Sequence, residues 1–182
     1  MRSLLVAVVF ALAFASSTAL ADTSSTREAK DLKTYGNCHT ITMVDLFTDA
    51  EDHGMMCRES TFTDESLIGV MSQRSRLYVI VGKGVQFILE DQVPIMIRVD
   101  KGETIQRSAY WDSKNPTRAF IKDDALATRL LRALAQGQRV VIKVGDEGGN
   151  IRLNGSRRAI QDFRHRAGLQ PQQSLEIPAR SF

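Results

Sequence analysis

The sequence predicts one mainly β domain that carries two helices. Three observations predict it. Apolar residues alternate with polar ones in short runs through the centre of the chain, and turn residues punctuate those runs. Toward the C-terminus the apolar period twice lengthens from two to nearly four. An apolar fraction of 43% over 182 residues, rich in Val, Ile and Leu, is enough to build a core.

The first 21 residues stand apart from that domain. Arg2 precedes an apolar run from Leu4 to Ala15, and small residues end in Ala19-Leu20-Ala21. This is the layout of a secretory signal peptide cut before Asp22, its apolar run too short to span a bilayer. Asp22 rather than Cys follows the cut, which argues against a lipid-anchored N-terminus. The expected location is periplasmic, or secreted and outer-membrane associated. Removal leaves about 160 residues, the size of one domain, with no apolar run long enough to cross a membrane. Residues 22–34 are polar with no apolar period and read as a flexible leader. The domain is expected over 35–168, and 169–182 as a C-terminal tail.

Within the domain, Cys38 to Phe47 is rich in β-formers, and Thr48 to Gly54, with Asp49, Glu51 and Asp52, reads as an exposed loop leading back to Cys57. Leu77, Val79 and Val81 alternate with Tyr78 and Ile80. After Gly82-Lys83-Gly84 the pattern resumes at Val85, Phe87 and Leu89, as in a hairpin with glycines at its turn. Ile95, Ile97 and Val99 face opposite to Met96, Arg98 and Asp100, with Pro94 starting the strand. Lys101-Gly102 turns the chain into a strand from Glu103 to Trp111, and Thr117 to Lys122 follows the turn Ser113 to Pro116.

Asp123 or Asp124 then caps a helix on which Leu126, Leu130 and Leu134 recur at every fourth position, with Ala127 and Leu131 beside them and Gly137 as the stop. Arg139 to Val144 and Asn150 to Leu153 form a last hairpin about Gly145 to Gly149. Ser156 caps a final helix that buries Ile160 and Phe163, keeps Arg157, Arg158, Arg164 and Arg166 in water, and ends at Gly168.

Cys38 and Cys57 are the two cysteines, and in an oxidising compartment such a pair forms a disulfide. Closing a loop of about 20 residues restricts the unfolded chain by about 3 kcal/mol. The bridge is expected to pin the acidic loop. The same region is dense in metal ligands. His39, His53, Met55 and Met56 suit copper or zinc, which makes a periplasmic metal-binding protein the alternative function. Their spacing matches no zinc motif, oxidised cysteines cannot ligate as thiolates, and neighbours on a strand point to opposite faces. No metal or other cofactor is therefore expected.

Other chemistry is weaker. His39, His53 and His165 are the three histidines, and no serine sits in a nucleophile elbow. Gly82-Lys83-Gly84 lacks the rest of a phosphate loop, and Asp146-Glu147 lacks the alternating ligands of a calcium loop. The arginines of the last helix read as a solvated face. With a formal charge of only +3 and no aromatics interleaved with the basic residues, nucleic acid is not an expected partner. Tyr110, Trp111 and Phe120 read as core aromatics.

The order of these pieces resembles the invasion-associated locus B family of secreted and periplasmic proteins of Gram-negative bacteria. The residues that carry it are the signal peptide, Cys38 and Cys57 closing a short loop, and Val93-Pro94-Ile95-Met96-Ile97-Arg98-Val99-Asp100. They continue with the helix at Leu126 to Leu134 running into Gly137-Gln138-Arg139-Val140-Val141-Ile142, then Ile151-Arg152-Leu153-Asn154-Gly155-Ser156 with Ala159, Ile160 and Phe163. Tyr35-Gly36-Asn37 stands where the family has a tryptophan before its first cysteine. The resemblance implies a β-sandwich-like single domain, with one helix before the last hairpin and one after it. It also implies a non-enzymatic envelope protein that works by binding another protein, in host-cell contact or envelope maintenance. On the argument that rigid scaffolds present function on loops, Asp49, Glu51 and Asp52 are the expected contact residues.

Overall fold

A computed structural model describes residues 26–60, 65–83, 92–112 and 115–169. The first strands are β1 (Arg27–Tyr35), β2 (Cys38–Asp45), β3 (Glu51–Ser60), β4 (Glu65–Gln73) and β5 (Arg76–Lys83). There follow β6 (Gln92–Val99), β7 (Ile105–Asp112), β8 (Asn115–Lys122), helix α1 (Asp124–Gln136), β9 (Arg139–Val144), β10 (Glu147–Arg152) and helix α2 (Ser156–Arg166). The strands form one antiparallel sheet in the order β1-β2-β3-β4-β5-β8-β7-β6-β9-β10. The sheet is open but curls until β10 meets β3 and β4 across its inner side. Helix α1 packs on β5, α2 on β1, β2 and β3, and the helices on each other. The result is the expected β-sandwich-like single domain with a helix on each side of the last hairpin. The signal peptide, residues 84–91 with their expected strand, the turn at 113–114 and the tail from 170 lie outside the described residues.

Alternation explains the core. On β6, Val93, Ile95 and Ile97 are buried while Pro94 and Arg98 are exposed. Pro94 is the third residue of its strand, not the first. Its carbonyl accepts from Gly145 N at 2.9 Å, so the position that lacks an N–H stands at the end of the β6–β9 pairing, where it costs the ladder least. Helix α1 begins as read: the Asp123 carboxylate accepts from Leu126 N at 2.8 Å, and Leu126, Ala127, Leu130, Leu131 and Leu134 are buried.

Helix α2 is held differently. Ser156 is not its cap. Gly155, with φ of 85°, takes that place without a side-chain bond, and Ser156 Oγ donates instead to Leu134 O of α1 at 2.8 Å. A Cβ at Gly155 would overlap the Tyr35 carbonyl, so glycine lets the two segments cross here. Arg166, expected in water, has a side chain only 11% exposed. Its guanidinium donates to Asp162 Oδ2 at 2.9 Å, Asp31 O at 3.0 Å and Thr42 Oγ1 at 3.1 Å.

Three further readings are corrected. The leader becomes strand from Arg27: β1 pairs along β2, Arg27 opposite Asp45 and Tyr35 opposite Cys38, with a bulge between Lys30 and Lys33. Its seven central residues are exposed, so no apolar period announces it. Gly82-Lys83 is not a turn but the end of β5, paired with β4 and β8. The buried Lys83 amine donates to Gly148 O of β10 at 2.6 Å and to Ser66 Oγ at 3.3 Å. Tyr110 and Phe120 pair on the outer face of the sheet, where Tyr110 is 59% exposed, and neither belongs to the core.

Candidate functional site

The β2–β3 hairpin gathers every residue read as a site. Its register sets Cys38 opposite Cys57, His39 opposite Met56, Thr40 opposite Met55, Thr42 opposite His53 and Met43 opposite Asp52. Because side chains alternate, Cys38, Cys57, Thr40, Met55, Thr42 and His53 point inward, and His39, Met56, Met43 and Asp52 point outward. The four metal candidates are therefore divided between two faces: His53 and Met55 beneath the sheet, His39 and Met56 above it. Among the described residues no group of three or more His, Cys, Asp or Glu is placed to hold a metal ion. His53 Nδ1 lies 3.2 Å from Thr42 Oγ1, and His39 Nδ1 lies 3.0 Å from Thr34 Oγ1. Partial burial, reinforced by the charge of Arg58, holds His39 below the usual imidazole range.

Cys38 and Cys57 form the expected disulfide, with Cα atoms 3.9 Å apart. Both are fully buried in the core, at the hairpin's open end. The bridge therefore staples the strand ends and does not pin the acidic loop. A polar recess of about 500 Å³ opens beside it, lined among others by Asn37, His39, Arg58, Glu59, Glu65 and Arg152. Glu59 accepts from Arg152 Nη2 at 2.6 Å and from Asn37 Nδ2 at 2.8 Å. Arg152 above all, with Asn37 last, keeps the Glu59 carboxyl below its ordinary range, and Glu59 in turn raises Arg152. These charges satisfy one another and join β3 to β10.

The far end of the hairpin differs. The connecting turn is Leu46 to Ala50, not Thr48 to Gly54, because β3 already begins at Glu51. Asp52 is therefore a strand residue of the outer face, and it is nonetheless buried, its carboxylate meeting Arg27 of β1 at 2.7 Å. It is no contact residue of a free loop. Asp49 and Glu51 are exposed, as expected. The turn backbone is tied down: Asp45 N donates to Ala50 O, Asp49 N to Asp45 O, and the Asp45 carboxylate accepts from Phe47 N at 3.0 Å and Thr48 N at 3.1 Å. The Phe47 N–H is the main reason the Asp45 carboxyl sits below its ordinary range, opposed by partial desolvation and aided by Thr48 and Arg27.

This rigid turn presents two residues the sequence reading passed over. Phe47 is 82% exposed and Leu46 58%. Their β-former character made them look like the end of a strand. The available signal was Asp45 preceding two apolar residues and a threonine, the pattern of a carboxylate capping its own turn.

No family model matches the chain, and no curated protein matches it. Among solved structures it is similar to invasion-associated protein B from Bartonella henselae, with a TM-score of 0.53 and 16% identity over 76% of this chain and 98% of that one. The chain has the fold of invasion-associated protein B. The order of motifs thus led to the right fold, although each motif is short. At 16% identity the likeness to invasion-associated protein B is one of architecture. Among the described residues no helix is long and apolar enough to cross a membrane.

Proposed function

We propose that this is an exported, non-enzymatic envelope protein that binds another protein through the β2–β3 turn, in host-cell contact or envelope maintenance. One observation carries the reading: an aromatic ring 82% exposed on a turn whose backbone is fixed by four hydrogen bonds. Exposing Phe47 gains the fold nothing, since burial is what makes a phenylalanine stabilising. An aromatic side chain on a fixed turn, with the exposed carboxylates of Asp49 and Glu51 nearby in sequence, is instead what a protein interface uses, because little backbone entropy is lost on docking. The fold shared with invasion-associated protein B and the core disulfide support export.

The test is capture from envelope extracts by immobilised protein. Phe47→Ala should reduce the captured partner at least tenfold, the loss typical of an aromatic anchor. Asp49→Ala with Glu51→Ala should weaken it less and make it less sensitive to salt. Capture unchanged by Phe47→Ala would remove the turn from consideration.

A further inference from the structure

Helices α1 and α2 form one layer over the inner side of the sheet, and its charge is one-sided. The two helices hold two carboxylates, Asp124 and Asp162, and no glutamate. Asp162 is turned to the sheet, and Asp124, half exposed at the first position of α1, is engaged by β5. Asp124 accepts from Leu77 N at 2.6 Å and lies 3.8 Å from Arg76, while Asp162 accepts from Thr40 Oγ1 at 2.6 Å and from Arg166. What remains toward solvent is Arg129, Arg132, Arg157, Arg158, Arg164 and His165, all exposed or half-exposed. None of Arg129, Arg158 or Arg164 has an ion pair among the described residues.

This pattern works against the helices themselves. Arg157 and Arg158 occupy the first turn of α2, where the macrodipole disfavours cations, and that turn has no acidic residue and no side-chain cap. Arg129 and Arg132 are like charges three residues apart. Arg157 has a structural role, donating to Ala135 O of α1 at 3.3 Å, but at Arg129 and Arg158, which have no ion pair among the described residues, glutamate or glutamine would serve the fold better. Local choices that oppose the fold mark sites kept for another reason.

We propose that the helical layer docks the protein on an anionic lipid surface, its arginines binding lipid phosphates. Guanidinium groups grip phosphate oxygens through paired N–H donors, and two helices of 13 and 11 residues give an extended patch and not a point site. Nucleic acid fits less well. The layer has no exposed aromatic for bases to stack on, since the exposed rings Phe47 and Tyr110 lie on the turn and on the outer face. This proposal stands independently of the β2–β3 turn, which lies on other elements.

The experiment is co-flotation of the chain from Asp22 to Phe182, which contains every described residue, with two kinds of vesicle. One is phosphatidylcholine alone, the other phosphatidylcholine with one-third phosphatidylglycerol. Binding should be confined to the anionic vesicles and released by salt. At about fivefold per arginine, Arg129→Gln, Arg158→Gln and Arg164→Gln together should weaken it about 100-fold. The same three positions changed to Lys should retain most of it, and thermal melts should report whether the variants stay folded. Equal binding to both vesicles, no binding to either, or an undiminished glutamine variant would overturn the proposal. So would tighter binding to a duplex DNA oligonucleotide than to the anionic vesicles.

Discussion

The two ends of the β2–β3 hairpin are built on opposite plans. At the open end, a fully buried disulfide and the Glu59, Arg152 and Asn37 network join β2, β3 and β10, and every strong group has its partner inside the protein. At the turn end, the backbone is bonded but the side chains stand in water: Leu46, Phe47, Asp49 and Glu51 are all exposed. The backbone order shows that the turn is not loose, so the exposure of Phe47 is a property of a fixed shape. Stability resides at the open end, and on the proposed function recognition falls to the turn.

The largest effect should come from the stapled end. Cys38→Ala with Cys57→Ala removes the cross-link and should cost about 3 kcal/mol, read from the urea midpoint. If the two ends are separable, capture through the turn should survive wherever the variant is still folded. Next in size is Asp162, whose side chain is 15% exposed. Burial pushes this carboxyl up, but the Thr40 bond and the charges of Arg166 and Lys33 outweigh it and leave the group below its ordinary range. Asp162→Asn should therefore cost about 2 kcal/mol at neutral pH, because Arg166 stays half-buried without its counter-charge. A carboxyl depressed in the folded state stabilises above its unfolded pKa of about 4, and that contribution disappears as pH falls through the lower folded value. Acid unfolding of the wild type against Asp162→Asn should show the difference close below pH of about 4.

Smaller effects separate the acidic residues of the turn region. Asp52→Ala removes the partner of Arg27, which is one-third exposed and can rehydrate, so the loss should be about 1 kcal/mol. Asp49→Ala and Glu51→Ala should change stability by less than about 0.5 kcal/mol, as expected for exposed sites. Phe47→Ala should be the mildest for the fold, also within about 0.5 kcal/mol, while abolishing most capture. A large drop in melting temperature for Phe47→Ala would mean that the ring belongs to the fold after all.

These contrasts also show which features a sequence can carry. Helix α1 was legible to its cap because Asp123, the leucine spacing and Gly137 all act locally. So were the disulfide and the buried face of β6. Strand β4 was missed: Ser66, Leu67, Ile68, Gly69 and Val70 are all buried, so it shows no alternation, and its turn to β5 uses Arg74 and Ser75 at φ of 48° and 64° where glycine or asparagine would be expected. Strand β1 was missed for the opposite reason. It is held by backbone pairing to β2 and by Arg166 reaching Asp31 O from 135 residues away, and neither leaves an apolar signature. At the site, the acidic residues were visible but their roles were not. Whether Asp52 or Asp49 faces water depends on where β3 starts, and strand boundaries are set by pairing partners that lie elsewhere in the chain.

The most direct measurement places a photo-crosslinking amino acid at position 47 in cells that make the protein, with the exposed Gln106 of β7 as the comparison site. Irradiation should give a discrete adduct with another protein from position 47 and none from position 106. Equal labelling from both positions, or none from position 47, would contradict the claim that the β2–β3 turn is where this protein meets its partner.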